Sequence, residues 1–186
     1  MRHKQRMFEE KGYKLIELNL GFEDLMVKAF EECVKVNKSQ TEYVSVVSPN
    51  PINLYMESLT SVVHREYITS IVEKETGLKL IPTYCLSRKY FQGSILGSHT
   101  DRDACEISLS YCIFGPEWEI HMGDDTVTTK LGNGVIYKGC EITHGRYKPS
   151  SGDVIQIFNH WVISGGAKVH VAYDGDRDNE IFYRGI

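Results

Sequence analysis

Long apolar runs are absent from this 186-residue sequence. Nothing approaches the ~18 consecutive apolar residues of a membrane-spanning helix. The basic start, Met1-Arg2-His3-Lys4-Gln5-Arg6, is not followed by an apolar stretch of signal-peptide length. A cytoplasmic chain with no membrane association is therefore expected. The cysteines, five in number, form no CxxC pair, and an odd count argues against a disulfide framework or a zinc ribbon. Reduced thiols suit the same compartment. There is no basic excess: 21 Lys and Arg face 25 Asp and Glu, for a formal charge of −4. That argues against a protein held on nucleic acid by bulk charge. No repeat, low-complexity tract or Pro/Gly/Ser-rich linker divides the chain, so one domain over 1–186 is expected.

What is present is ordinary globular material, 41% apolar and 25% charged. Leu25, Met26, Ala29, Phe30, Cys33 and Val36 fall at helical spacing. Met56, Leu59, Val62, Val63, Tyr67, Ile71 and Val72 do so over a longer run, with Gly77 placed to end that helix. Tyr43 to Val47 alternates like a short strand, and Ser48-Pro49-Asn50-Pro51 is a turn. After Gly77 the texture changes to short β-like runs near 80–91, 94–100, 105–113, 118–122, 125–131, 134–138, 142–148 and 154–163. About eight strands with no intervening helix predict a jelly roll, a double-stranded β-helix of the cupin-like kind. The fold class is thus mainly β with supporting helices (α+β), the N-terminal helices packed on one face. Residues 1–79 form the supporting region, 80–163 the jelly-roll core and 164–186 a C-terminal extension.

The chemistry concentrates in His99-Thr100-Asp101 and, 45 positions later, His144. On a strand, residues i and i+2 share a face, so His99 and Asp101 can aim into the barrel together. His144, on a later strand, can add a third ligand from across it. Two imidazoles and a carboxylate on one face leave three positions of an octahedral metal open, the facial triad of non-haem Fe(II) oxygenases. Glu106 and Ser108 read as sharing a face of the next strand and are candidate partners for the metal ligands. Arg102, beside Asp101, is a candidate for orienting substrate at the mouth. His121, His170, Trp118 and Trp161 read as surface or core residues. Asp174-Gly175-Asp176-Arg177-Asp178 lacks the Gly and Glu that a calcium loop needs and reads as a solvated acidic turn.

The stretch Tyr84-Cys85-Leu86-Ser87-Arg88-Lys89-Tyr90-Phe91-Gln92-Gly93, followed by Ser98-His99-Thr100-Asp101, resembles the Fe(II)/2-oxoglutarate-dependent dioxygenase superfamily, with a prolyl 4-hydroxylase-like core. Gly134 to His144 looks like the strand pair that delivers the distal histidine. The resemblance spans roughly residues 80–162. It implies Fe(II) on His99, Asp101 and His144, with 2-oxoglutarate and O2 as co-substrates, Tyr90 helping to hold 2-oxoglutarate, and succinate and CO2 as co-products. Ascorbate as an accessory reductant goes with that expectation. The implied substrate is a peptide or protein prolyl residue, or another small C–H substrate.

The sequence departs from that pattern at one place. The superfamily usually anchors the far carboxylate of 2-oxoglutarate with a cation on the last core strand. Here that strand, Val154 to Val162, has neither Lys nor Arg. Arg146, two residues past His144, is the preferred replacement, then Arg88, two residues before Tyr90. Lys148 continues the Arg146 face, and Gln156 or His160 could hydrogen-bond the co-substrate. Two alternatives stay open. The run from Arg88 to Asp103 is also similar to the AlkB-like nucleic-acid demethylases, although the negative charge argues against nucleic acid. The missing late-strand cation equally suits a cupin-type metal protein that does not use 2-oxoglutarate.

Overall fold

The computed structural model describes residues 8–55 and 57–172. Its strands form two antiparallel sheets. Strands β1 (Tyr13–Glu17), β3 (Ile52–Tyr55), β4 (Leu80–Tyr90), β6 (Ile107–Phe114), β9 (Asn133–Tyr137) and β11 (Val154–Ile163) make the larger, in the order β1-β9-β6-β11-β4-β3. Strands β2 (Val47–Ser48), β5 (Ile95–His99), β7 (Trp118–Met122), β8 (Asp125–Thr129) and β10 (His144–Arg146) make the smaller, in the order β2-β5-β10-β7-β8. No described helix is long and apolar enough to cross a membrane. All five cysteines are free. The acidic run at 174–178 lies outside the described residues.

The larger sheet is covered on both faces, and its central strands show why. On β6, Ile107, Leu109, Tyr111 and Ile113 join Ile155, Ile157 and Trp161 of β11 in one cluster with Met26 and Phe30 of helix α1 (Glu23–Val36). Each such buried aliphatic or aromatic side chain contributes about 1.5–3 kcal/mol. The intervening residues Ser108, Ser110 and Cys112 point the opposite way, between the sheets. They meet Val154, Gln156, Phe158 and His160 of β11, which pairs with β6 in antiparallel register. Apolar residues therefore serve the helices, while polar residues of the same strands serve the interior.

The long helix expected through Met56–Val72 is three consecutive pieces. Helix α2 (Ser58–Val62) is capped by Glu57, whose carboxylate accepts from Leu59 N (2.9 Å) and Thr60 N (2.8 Å). A π-helical turn follows over Val63–Ile68, then α3 (Thr69–Thr76), ended by Gly77 at φ +78°. The reason is the spacing of the side chains that reach the sheet. Val63, Ile68 and Val72 are buried, whereas Val62 and Tyr67 are half exposed. Val63 and Ile68 are five apart, a step that a π turn aligns and a regular α-helix does not.

Several sequence expectations are corrected here. The strand expected over 43–47 is only Val47–Ser48, and β1 and β3 had no expectation at all. The run 142–148 yields just three strand residues, His144–Arg146. The strand expected from 105 begins at Ile107, because Asp103–Cys105 forms a 3-10 turn that carries Glu106 in helical conformation (φ −54°, ψ −43°). His170, read as a surface or core residue, lies in another 3-10 turn, Val169–Val171.

The π turn buries His64 with its ring 4.7 Å from that of Trp161, and its Nε2 meets no described partner. Burial, reinforced by the neighbouring Arg65 charge, holds its pKa down at about 3, against the usual 6.5. Between those values the unfolded chain binds a proton that the folded chain refuses. The contribution of neutral His64 is complete above pH 6.5 and is lost as pH falls toward about 3. His64→Leu should flatten the fall in unfolding free energy in that window by up to about 1.4 kcal/mol per pH unit. Urea titrations from about pH 4 to pH 7 check this, an unchanged slope counting against it.

Candidate metal centre and co-substrate cavity

His99 closes β5 and His144 opens β10, and the two are direct cross-strand neighbours. Their rings lie 4.3 Å apart. Asp101 sits two residues beyond the end of β5, so strand alternation alone does not aim it. The backbone does: Asp101 N donates to the Gly139 carbonyl at 2.8 Å, across to the turn that follows β9. Asp101 Oδ1 then lies 3.7 Å from His99 Nε2 and 3.6 Å from His144 Nε2. All three ligand atoms fall within 4.8 Å of one another.

The tautomers suit a metal. His99 Nδ1 is 2.9 Å from the Gly97 carbonyl and His144 Nδ1 is 2.9 Å from the Ile142 carbonyl. A carbonyl oxygen only accepts, so both Nδ1 atoms carry the proton and both Nε2 lone pairs face the centre. Burial pulls the His144 pKa down, which favours the neutral, ligating form. Burial pushes the Asp101 pKa up, while the two imidazoles and hydrogen bonds from Ser108 and Tyr137 oppose it. A divalent cation would satisfy all three groups at once, and two imidazoles with one carboxylate suit Fe(II).

The structure places Ser108 beside Asp101: its hydroxyl donates to Asp101 Oδ2 at 3.1 Å and lies 2.9 Å from His160 Nδ1. Glu106 is placed elsewhere. Its Oε2 accepts from Ile163 N at 2.8 Å, because the helical conformation before β6 turns it away from the face of Ser108. Arg102 places its guanidinium 4.7 Å from the Tyr84 ring centroid, over a residue of the cavity wall. Two positions that border the three ligand candidates escaped the sequence reading. Tyr137, fully buried, sets its ring 4.6 Å from that of His144 at a tilt of 57° and hydrogen-bonds toward Asp101. Gly139 has no room for a Cβ, which would lie 2.3 Å from Cys105 O and 2.5 Å from Asp101 Oδ2. Two residues after a β-branched run, a lone glycine reads as a turn; the close approach is visible only in three dimensions.

Asp101 also lies within 4.8 Å of donors on Cys105 and His160. That second set is a poor metal site. Cys105 Sγ is 3.1 Å from the Tyr84 hydroxyl, and burial with the nearby Asp101 charge raises the thiol pKa to about 12. A protonated thiol ligates weakly.

The triad opens into a cavity of about 150 Å3 between the sheets, walled by Tyr84, Leu86, Arg88, Tyr90, Ile120, Tyr137, Arg146, Phe158 and His160. Arg146 is completely buried. Its Nη1 donates to Trp118 O (2.8 Å), Glu119 O (3.3 Å) and Thr129 Oγ1 (3.1 Å), and its guanidinium lies 4.6 Å from the Trp118 ring centroid. Burial lowers its pKa to about 10, so it stays charged at neutral pH. Its Nη2 has no described partner. A buried cationic N–H group without an acceptor is costly and marks a place for an anion. Tyr90 is fully buried with its ring 5.1 Å from Trp118. Lys148 is excluded from the cavity: it is largely exposed, 3.8 Å from Glu119. Gln156 accepts from Ser110 Oγ at 2.9 Å, and His121 stacks on Tyr147 at 4.4 Å near the surface.

No family model matches the sequence, and no curated protein does. Solved structures match the fold. A Pseudomonas putida prolyl-4-hydroxylase superposes with a TM-score of 0.63 at 12% identity, covering 86% of this chain and 96% of that one. The viral collagen prolyl hydroxylase of Paramecium Bursaria Chlorella virus-1, in its 2-oxoglutarate complex, gives 0.61 at 16% identity over 84% and 98%. SnoK, a non-haem α-ketoglutarate-dependent carbocyclase from nogalamycin biosynthesis, gives 0.69 at 13% identity over 88% and 84%. The chain has the jelly-roll fold of the 2-oxoglutarate/Fe(II) oxygenases. The arrangement expected from the strand pattern, mainly β with helices on one face, is the one observed.

Ser108→Ala removes a hydrogen bond that aims Asp101 without touching a ligand atom. Metal affinity should fall about 10–100-fold. Titration with Mn(II), followed by electron paramagnetic resonance, tests this; unchanged affinity would show that Tyr137 and the Gly139 backbone suffice.

Proposed function

We propose that the protein is an Fe(II)- and 2-oxoglutarate-dependent oxygenase that hydroxylates a C–H bond of a peptide or small molecule. The observation that carries this is the pairing, in one cavity, of the three converging ligand atoms with the unpartnered Nη2 of buried Arg146. His99, Asp101 and His144 would hold the metal, and Arg146 would receive the far carboxylate of 2-oxoglutarate. When bound, iron with 2-oxoglutarate and O2 supplies an oxidative decarboxylation to succinate and CO2 and an oxygen atom for the substrate.

The chain's own residues provide position and dryness. Ser108 and Tyr137 aim Asp101 and favour its ionised form against the effect of burial. The Gly97 and Ile142 carbonyls fix the imidazole tautomers. Tyr90, Ile120, Trp118 and Phe158 exclude water around the guanidinium, which strengthens its attraction for a carboxylate. On this reading β10 supplies the cation that β11 lacks, and the unpartnered Nη2 of Arg146 supports 2-oxoglutarate use over a cupin-type protein without it.

Purified protein, made anaerobic and given Fe(II) and then 2-oxoglutarate, should develop the weak visible charge-transfer band of a keto-acid chelate. Admission of air should release succinate. Iron binding without the band would overturn 2-oxoglutarate use. His99→Ala and His144→Ala should lose both metal and band. Arg146→Met should keep metal binding and raise the KM for 2-oxoglutarate about 30-fold or more with a smaller change in kcat, since it removes a charged contact remote from the reacting atoms.

A further inference from the structure

We propose that Arg88 receives a carboxylate of the primary substrate, and that this substrate is a small molecule bearing a free carboxylate rather than an internal prolyl residue of a peptide. The proposal rests on the oxygenase reading, in which 2-oxoglutarate takes Arg146.

Arg88 is the second guanidinium in the cavity wall. It lies on β4, opposite Asn53 of β3 and Gln156 of β11. Its described partners are all neutral. Nε donates to Asn53 Oδ1 at 2.7 Å and Nη1 lies 3.4 Å from the Tyr90 hydroxyl. The Tyr90 and Phe158 ring centroids stand 5.7 and 5.5 Å from its guanidinium carbon. These contacts orient the group and use two of its five N–H donors. The nearby acid is kept away: exposed Glu42 is engaged by Asn53 Nδ2 at 2.9 Å, one amide removed from the guanidinium.

Charge balance then points to an anion. Asp101 is the one acidic side chain in the described cavity wall, against Arg88 and Arg146. A divalent ion and the dianionic co-substrate cancel each other, and Asp101 cancels Arg146. Arg88 remains as a single uncompensated positive charge, largely out of water, where pairing matters most. A monoanionic substrate closes the balance, and a guanidinium fork matches a carboxylate in shape. Leu86 and Phe158 beside it offer apolar wall for the carbon skeleton, and His99, the more exposed imidazole, lies on the same cavity. An internal prolyl residue, like any internal residue other than Asp or Glu, carries no free carboxylate and would leave Arg88 unpaired.

The test uses full-length protein loaded anaerobically with Mn(II) and 2-oxoglutarate. The probes are the free L-amino acids and short monocarboxylic acids, each against its primary amide, with binding read by calorimetry and succinate output read in air with Fe(II). At least one acid should bind and raise succinate output, with its amide about 30-fold weaker. Arg88→Met should lose that preference while the dissociation constant of 2-oxoglutarate stays within about twofold, and Arg88→Lys should recover part of it. No acid binding more tightly than its amide overturns the proposal. So does Arg88→Met weakening 2-oxoglutarate as much as Arg146→Met, which would make Arg88 a co-substrate anchor. Failure of the metal-loaded wild type to bind 2-oxoglutarate overturns the oxygenase reading itself, and is seen before any acid is added.

Discussion

A carboxylate taken out of water needs partners, and the arrangement around Asp101 supplies them from both sheets. The backbone at Gly139 holds its amide, Ser108 of the larger sheet holds one carboxyl oxygen, and the two imidazoles of the smaller sheet flank the other. Each of these depends on a piece of the fold. Ser108 points inward because Ile107 and Leu109 are committed to the helical side. Gly139 passes closely because any Cβ there would collide with Cys105 and Asp101. The pairing of β5 with β10 sets the separation of the histidines. Removing any one would leave a buried charge short of a partner, which costs more than an ordinary packing defect.

The division of labour across β6 and β11 explains how so small a chain carries a polar interior. The helices take up the apolar half of each strand, and the π turn at Val63–Ile68 lets two buried residues five positions apart reach the same sheet. Freed from that duty, the inner face can hold Ser108, Ser110, Gln156 and His160, hydrogen-bonded in two pairs, Ser108 with His160 and Ser110 with Gln156. The opposite face of the same sheet is thus what permits polar chemistry between the sheets.

Much of this was legible in the sequence, for identifiable reasons. The triad could be read because ligand spacing within a short segment survives small errors in strand ends. Arg146 could be read because it follows His144 by two on the same strand. Glu106 could not, since the 3-10 turn before β6 breaks the alternation on which the expectation relied. Strand β1 was invisible because Lys14 interrupts its apolar pattern, and what buries that lysine is a distant pairing with Glu75. Tyr137 and Gly139 both border Asp101, more than thirty positions away. The same holds for Arg88, whose partner Asn53 lies on a strand the sequence did not show. Local periodicity foretold the scaffold; contacts between remote segments settled the environment of each polar group.

The position of Arg146 on β10 has a consequence for which cation can serve there. A lysine reaching from the last strand has one nitrogen and gives all of it to a ligand. Arg146 divides its two terminal nitrogens: one is bonded to Trp118, Glu119 and Thr129, while the other is buried with no partner among the described residues. The side chain is immobilised before any ligand arrives, so capture forfeits little rotamer freedom on the protein side. Replacement by lysine would force a choice between supporting β7 and receiving an anion. A cation in this place on β10, if it is both to brace β7 and to receive an anion as proposed, has to be a guanidinium.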